Sequence, residues 1–70
     1  MENMLRKLRK RNGLTQVRLA EMANVSRSVI ARYETGRTEL STKNLSKIAG
    51  ALNCSMEEIL KGGQADGAAS

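Results

Sequence analysis

Apolar residues recur at three- and four-residue spacings along most of this chain, and each run is bounded by a residue type that starts or stops a helix. Met1, Met4, Leu5 and Leu8 share one side of a first helix that Gly13 ends, while Arg6, Lys7, Arg9, Lys10 and Arg11 crowd its remainder. A second helix is predicted from Thr15 to Ala23, and Asn24 forms a corner because asparagine enters the left-handed backbone region more readily than most residues. Ser26 then caps a third helix over 26–35, so two short helices meet at a sharp angle. Ser41 caps a fourth helix from Thr42 to Leu52, whose buried stripe is Leu45, Ile48, Ala49 and Leu52, with Lys43 and Lys47 turned to solvent. After the break at Asn53-Cys54-Ser55, Ser55 and Glu58 have the spacing of a capping box and open a short fifth helix to Lys61. Residues 62–70, GGQADGAAS, read as a flexible tail without a motif, which leaves one domain over 1–61.

On a helical wheel at about 100° per residue, with Arg27 at zero, Ala31, Thr35, Ser28 and Arg32 fall at roughly 40°, 80°, 100° and 140°. Val29, Tyr33 and Ile30 fall at roughly 200°, 240° and 300°, so the apolar arc of the third helix lies opposite its polar one. The polar arc offers two guanidinium forks and a hydroxyl with small residues between them, a surface that suits a major groove.

Composition narrows this picture. Seventy residues allow a single small core, and with Tyr33 the only aromatic side chain that core is built from Leu, Ile, Val, Met and Ala, a palette that favours helices. Twelve Lys and Arg against seven Asp and Glu give a net charge of +5 and predict a polyanionic partner. With one cysteine, Cys54, and no histidine, neither an intramolecular disulfide nor a metal site is expected, and Cys54 is read as a small residue packed between two helices. The absence of a catalytic constellation, a phosphate-binding glycine loop, a long apolar run and a signal-peptide core predicts a non-enzymatic, cytoplasmic protein without cofactor or small-molecule ligand.

The stretch Thr15 to Gly36 resembles the phage-repressor and Cro-like helix-turn-helix family, also called the XRE family. The resemblance is carried by Leu14-Thr15-Gln16, Leu19-Ala20, Val25-Ser26, Arg27-Ser28, Ile30, Arg32-Tyr33-Glu34 and Gly36, and extends over residues 1–61. It implies an all-α, compact five-helix bundle of the lambda-repressor-like type that binds operator DNA as a symmetric homodimer, with the helix over 26–35 in the major groove. Four positions depart from the family pattern: Val17 and Arg18 replace an acidic pair, Asn24 replaces a glycine, and Leu40 stands near the place of a proline.

On this reading Arg27, Ser28 and Arg32 contact base edges of double-stranded DNA, each arginine being able to fork to guanine O6 and N7. The resemblance implies phosphate contacts for Gln16, Thr35, Arg37 and Thr38, and has Gln16 also brace the start of the recognition helix. Met56, Ile59 and Leu60 either close the core or in part face a second copy, and the dimer contact is expected there. The predicted role is a sequence-specific transcriptional regulator, foremost a repressor. The alternatives are a DNA-binding antitoxin, a restriction-system controller, or a protein-interaction module that uses the basic face to bridge other factors.

Overall fold

A computed structural model describes residues 3–61, so the place of Met1 on the first helix and the tail over 62–70 lie outside the described residues. Four helices run over α1 Met4–Arg11, α2 Gln16–Ala23, α3 Arg27–Glu34 and α4 Thr42–Leu52, and a fifth, α5, covers 56–61. Each begins on a side-chain oxygen that accepts the backbone N–H three residues on. Asn3 accepts from Arg6, Thr15 from Arg18, Ser26 from Val29, Ser41 from Asn44 and Ser55 from Glu58, at 2.9 to 3.2 Å. Such a cap stabilises a short helix by about 1 kcal/mol. At α5 the bond is reciprocated, since the Glu58 carboxylate accepts the Ser55 N–H at 3.2 Å and completes the capping box.

The helix ends follow one rule as well. Gly13, Asn24, Gly36 and Asn53 stand at φ +69°, +57°, +77° and +56°, in the left-handed region. In each case the next amide reaches back five residues: Leu14 to the Arg9 carbonyl, Val25 to Ala20, Arg37 to Arg32 and Cys54 to Ala49, at 2.8 to 3.1 Å. This is the Schellman arrangement, which satisfies carbonyls that the end of a helix leaves open. It commonly brings an apolar side chain back onto the helix, and Leu14, Val25 and Cys54 do pack half-buried against the core. After α3 the corresponding residue is Arg37, which stays exposed.

Every helix contributes one side chain that is almost wholly out of water: Leu5, Leu19, Ile30, Ile48 and Ile59. Burying each stabilises the fold by roughly 1.5–3 kcal/mol relative to leaving it exposed. Leu8, Ala20, Ala23, Leu45, Ala49 and Leu52 complete the core, so the stripe expected on α4 is the one that is buried. Two small residues, Ala20 and Ala23, lie on the buried side of α2, which packs against both α3 and α4.

Three expectations change. Ile59 is only 1% exposed, so it belongs to its own domain's core and has no surface left for a second copy. Arg9 is not one of a fringe of surface charges but is buried. Lys47 is half-buried, its side of α4 being less open than a wholly solvated face.

Candidate nucleic-acid interface

The wheel of α3 translates into two distinct sides. Arg27, Ser28, Arg32 and Thr35 are exposed, Ala31 between them is half-buried, Val29 and Tyr33 are half-buried and Ile30 is fully covered. Glu34, at roughly 340° on the same wheel and hence beside Ile30, points inward and is buried. It is the only carboxylate of α3, so the outer side of the helix carries two guanidinium groups and hydroxyls with no negative charge among them.

Glu34 is held from two other elements. Arg9 of α1 forks onto it, Nε donating to Oε2 at 2.7 Å and Nη2 to Oε1 at 3.1 Å. The third nitrogen of that guanidinium, Nη1, donates to the Leu14 carbonyl at 2.7 Å, in the connection between α1 and α2. Gln16, the first residue of α2, donates from Nε2 to Glu34 Oε1 at 3.0 Å. A buried charge pair is net favourable only when its remaining donors and acceptors are satisfied, and this one meets that condition through Gln16 and Leu14. Gln16 therefore braces the last residue of α3 and not its start. The reason is geometric: Ser26 already caps the first turn of α3, and the open side-chain acceptor lies at the other end.

The remaining candidates are less constrained. Arg37 is exposed, and its amide donates to the Arg32 carbonyl at 2.8 Å, so the loop after α3 is tied to the helix at a basic residue. The Thr35 hydroxyl donates back to the Ala31 and Arg32 carbonyls at 3.2 and 3.1 Å, and it reaches a phosphate only by giving up that bond. Thr38 is exposed, with its hydroxyl donating to the Glu39 carbonyl at 3.3 Å. Of the three residues assigned to a dimer contact, Met56 is 38% exposed and Leu60 half-buried, which leaves these two at the surface. Among the described residues, Val17 and Met22 are the other exposed large apolar side chains, and nothing in the fold explains Val17. Arg18, next to it, meets Glu21 at 3.4 Å in a solvated pair.

Burial lifts the pKa of Tyr33 above the usual phenol value, and the nearby Glu39 carboxylate adds to the lift. Burial and then Glu58 do the same for the Cys54 thiol, so both groups stay neutral at physiological pH. No group of three or more potential metal ligands occurs among the described residues. Among them, no helix is long and apolar enough to cross a membrane.

Arg9, Glu34 and Asn3 are the residues that reading the sequence missed. A signal was present: Arg9 follows Leu5 by four positions and so falls on the apolar stripe of α1, while Glu34 falls on that of α3. Opposite charges on two inward stripes imply a buried pair.

The helix-turn-helix family matches residues 5–59. The immunity repressor protein of Bacillus phage phi105 is 43% identical over 56 residues, which are 80% of this chain and 39% of that protein. The competence pilus inhibition repressor of Acinetobacter baylyi is 42% identical over 55 residues, 79% of this chain and 50% of the relative. Repressor protein C2 of Salmonella phage P22 is 36% identical over 62 residues, 89% and 29% of the two chains. The chain thus spans half or less of the length of these curated relatives.

Proposed function

The chain belongs to the helix-turn-helix family, and from that membership we propose that it is a transcriptional repressor that binds a palindromic operator as a homodimer. It is a DNA-binding regulator and not an enzyme, in keeping with relatives that are named repressors. The observation that carries the finer reading is the outer side of α3, where Arg27, Ser28 and Arg32 are exposed together and the helix's one carboxylate is turned into the core.

In this reading α3 enters the major groove, Arg27 and Arg32 fork to guanines, and Ser28 bonds a base edge. Gln16, Thr35, Arg37 and Thr38 hold the backbone on either side and set the register without reading sequence. Two copies related by a two-fold axis, meeting through the surface that includes Met56 and Leu60, present their α3 helices to half-sites about 34 Å apart. Selection of preferred duplexes from a random pool, followed by footprinting, tests this. The expected result is one enriched palindrome with two protected patches on one face of the duplex. Salt-sensitive binding without sequence preference points instead to a bridging module, and a single unrepeated site bound by one chain rules out the dimer.

A further inference from the structure

We infer that the buried Arg9–Glu34 pair is a positioning device for Gln16, holding its side-chain amide and the first turn of α2 ready to grip a DNA phosphate. The inference rests on the proposed phosphate role of Gln16 and adds the residues that make that role possible.

Gln16 is a long, neutral side chain at the head of a helix, and left to itself it would sample many rotamers. Its Nε2 is instead fixed on Glu34 Oε1 at 3.0 Å, an oxygen that also receives Arg9 Nη2 at 3.1 Å. A primary amide has two N–H donors in one plane. With one committed to the carboxylate, the other is directed away from it, and Gln16 is only half-buried, so in this scheme it is that second donor that meets an acceptor outside the fold. A phosphate oxygen is an acceptor only, so the second N–H is the part of Gln16 that can meet it.

Charge matters as much as direction. A lone carboxylate beside Gln16 would repel the DNA backbone, and the guanidinium of Arg9 on both of its oxygens offsets that field. Arg9 also acts on the backbone. Its Nη1 bonds the Leu14 carbonyl at 2.7 Å while the Leu14 amide returns to the Arg9 carbonyl at 3.1 Å, which fixes the connection immediately before Thr15 and Gln16. Side chain and main chain of the contact are thus set by one ion pair that does not itself face the DNA. Arg9 and Glu34 are positioning residues in this scheme, and Gln16 is the contact.

The test is a cycle on the selected operator and on random DNA across a salt series. It compares the native chain, Gln16→Ala, the double variant Arg9→Met with Glu34→Leu, and the triple variant. Apolar replacement of both members of a buried pair often leaves a fold as stable as before, and thermal melting verifies that. Pre-ordering one side chain is worth roughly two- to tenfold in affinity, so Gln16→Ala weakens binding to every sequence by about that factor. Because Gln16 is neutral it displaces no counterion, and the salt slope does not change. The double variant loses the same factor, and adding Gln16→Ala to it costs nothing more. A neutral methylphosphonate at the contacted phosphate weakens the native protein more than either variant, since the variants keep only the general attraction of a basic chain and a helix N-terminus, and a purely structural role would not produce that difference.

If Gln16→Ala costs as much in the double variant as in the native chain, the pair does not act through Gln16 and the inference fails while the DNA reading stands. If Gln16→Ala costs nothing in the native chain although an operator was selected, its phosphate role fails and takes the inference with it. The free native protein gives a check that requires no stable variant. Nitrogen relaxation of the Gln16 side-chain amide should be as restrained as that of the α2 backbone, and a freely averaging amide overturns the inference.

Discussion

The side chain of Asn3 joins the start of α1 to the end of α3, its oxygen accepting the Arg6 amide at 2.9 Å while its own amide donates to the Tyr33 carbonyl at 2.9 Å. One residue is therefore both a helix cap and a tie between elements thirty positions apart. Asn3→Ala removes both and should lower stability by about 1–2 kcal/mol in urea unfolding. Serine keeps the cap but is too short for the tie, so Asn3→Ser should fall between alanine and the native chain. Equal losses for both variants would assign the whole effect to the tie, against the dual role.

Arg32 and Arg37 are linked through the backbone but should fail differently on DNA. Arg32→Ala should cost about 1–3 kcal/mol on the selected operator, flatten the preference at one base pair and leave random DNA almost unaffected. Arg37→Ala should weaken all sequences alike and reduce the salt slope by about one. A uniform loss for Arg32→Ala would mean that α3 grips backbone and reads nothing.

The fifth helix separates core from surface within four residues. Ile59→Ala should cost about 2–5 kcal/mol of stability, the range for emptying a fully packed site. Met56→Asp, at a surface position, should leave the helical signal intact and weaken self-association in sedimentation. Undiminished self-association after Met56→Asp would move the dimer contact elsewhere.

Tyr33 predicts an alkaline limit. Its phenol titrates above the ordinary 10.0 because burial and Glu39 disfavour the phenolate. The stability this reflects is fully present below pH 10 and is lost as pH rises through the folded value, since the unfolded chain ionises first. The stability difference between the native chain and Tyr33→Phe should thus be flat below that pH and change above it. As the chain's only tyrosine, with no tryptophan, Tyr33 can be followed directly by phenolate absorbance. A difference that stays flat through the phenol titration would contradict the shift.

Helix α4 was legible to the residue because Ser41, Leu45, Ile48, Ala49 and Leu52 combine a cap with an unbroken stripe. Asn24 was legible as a corner, yet Asn53 repeats its left-handed geometry at the next helix end and was read only as a break. The exposed side of α3 followed from the wheel, and the proposal that it meets DNA from the wheel together with the family resemblance. What stayed hidden was the inward charge. Arg9 and Glu34 sit on apolar stripes, where a charge has no place by itself because burial of either alone would be prohibitive. Only the tertiary arrangement pairs them, across twenty-five positions. Ile59 was ambiguous for a related reason: a helix as short as α5 shows too few turns for periodicity to separate its inner side from its outer one.

The contrast between near and distant bonds bears on the order in which the molecule assembles. Caps and left-handed stops act within five residues, so each helix and its turn can form before the chain has closed on itself. Asn3 to Tyr33 and Arg9 to Glu34 span 30 and 25 positions, and they require α1 to have docked. Contacts that arrive after the rate-limiting step govern how quickly a protein comes apart more than how quickly it forms. The polar ties at the end of α3, made only once α1 has docked, are placed to act in this way, as a latch on that helix.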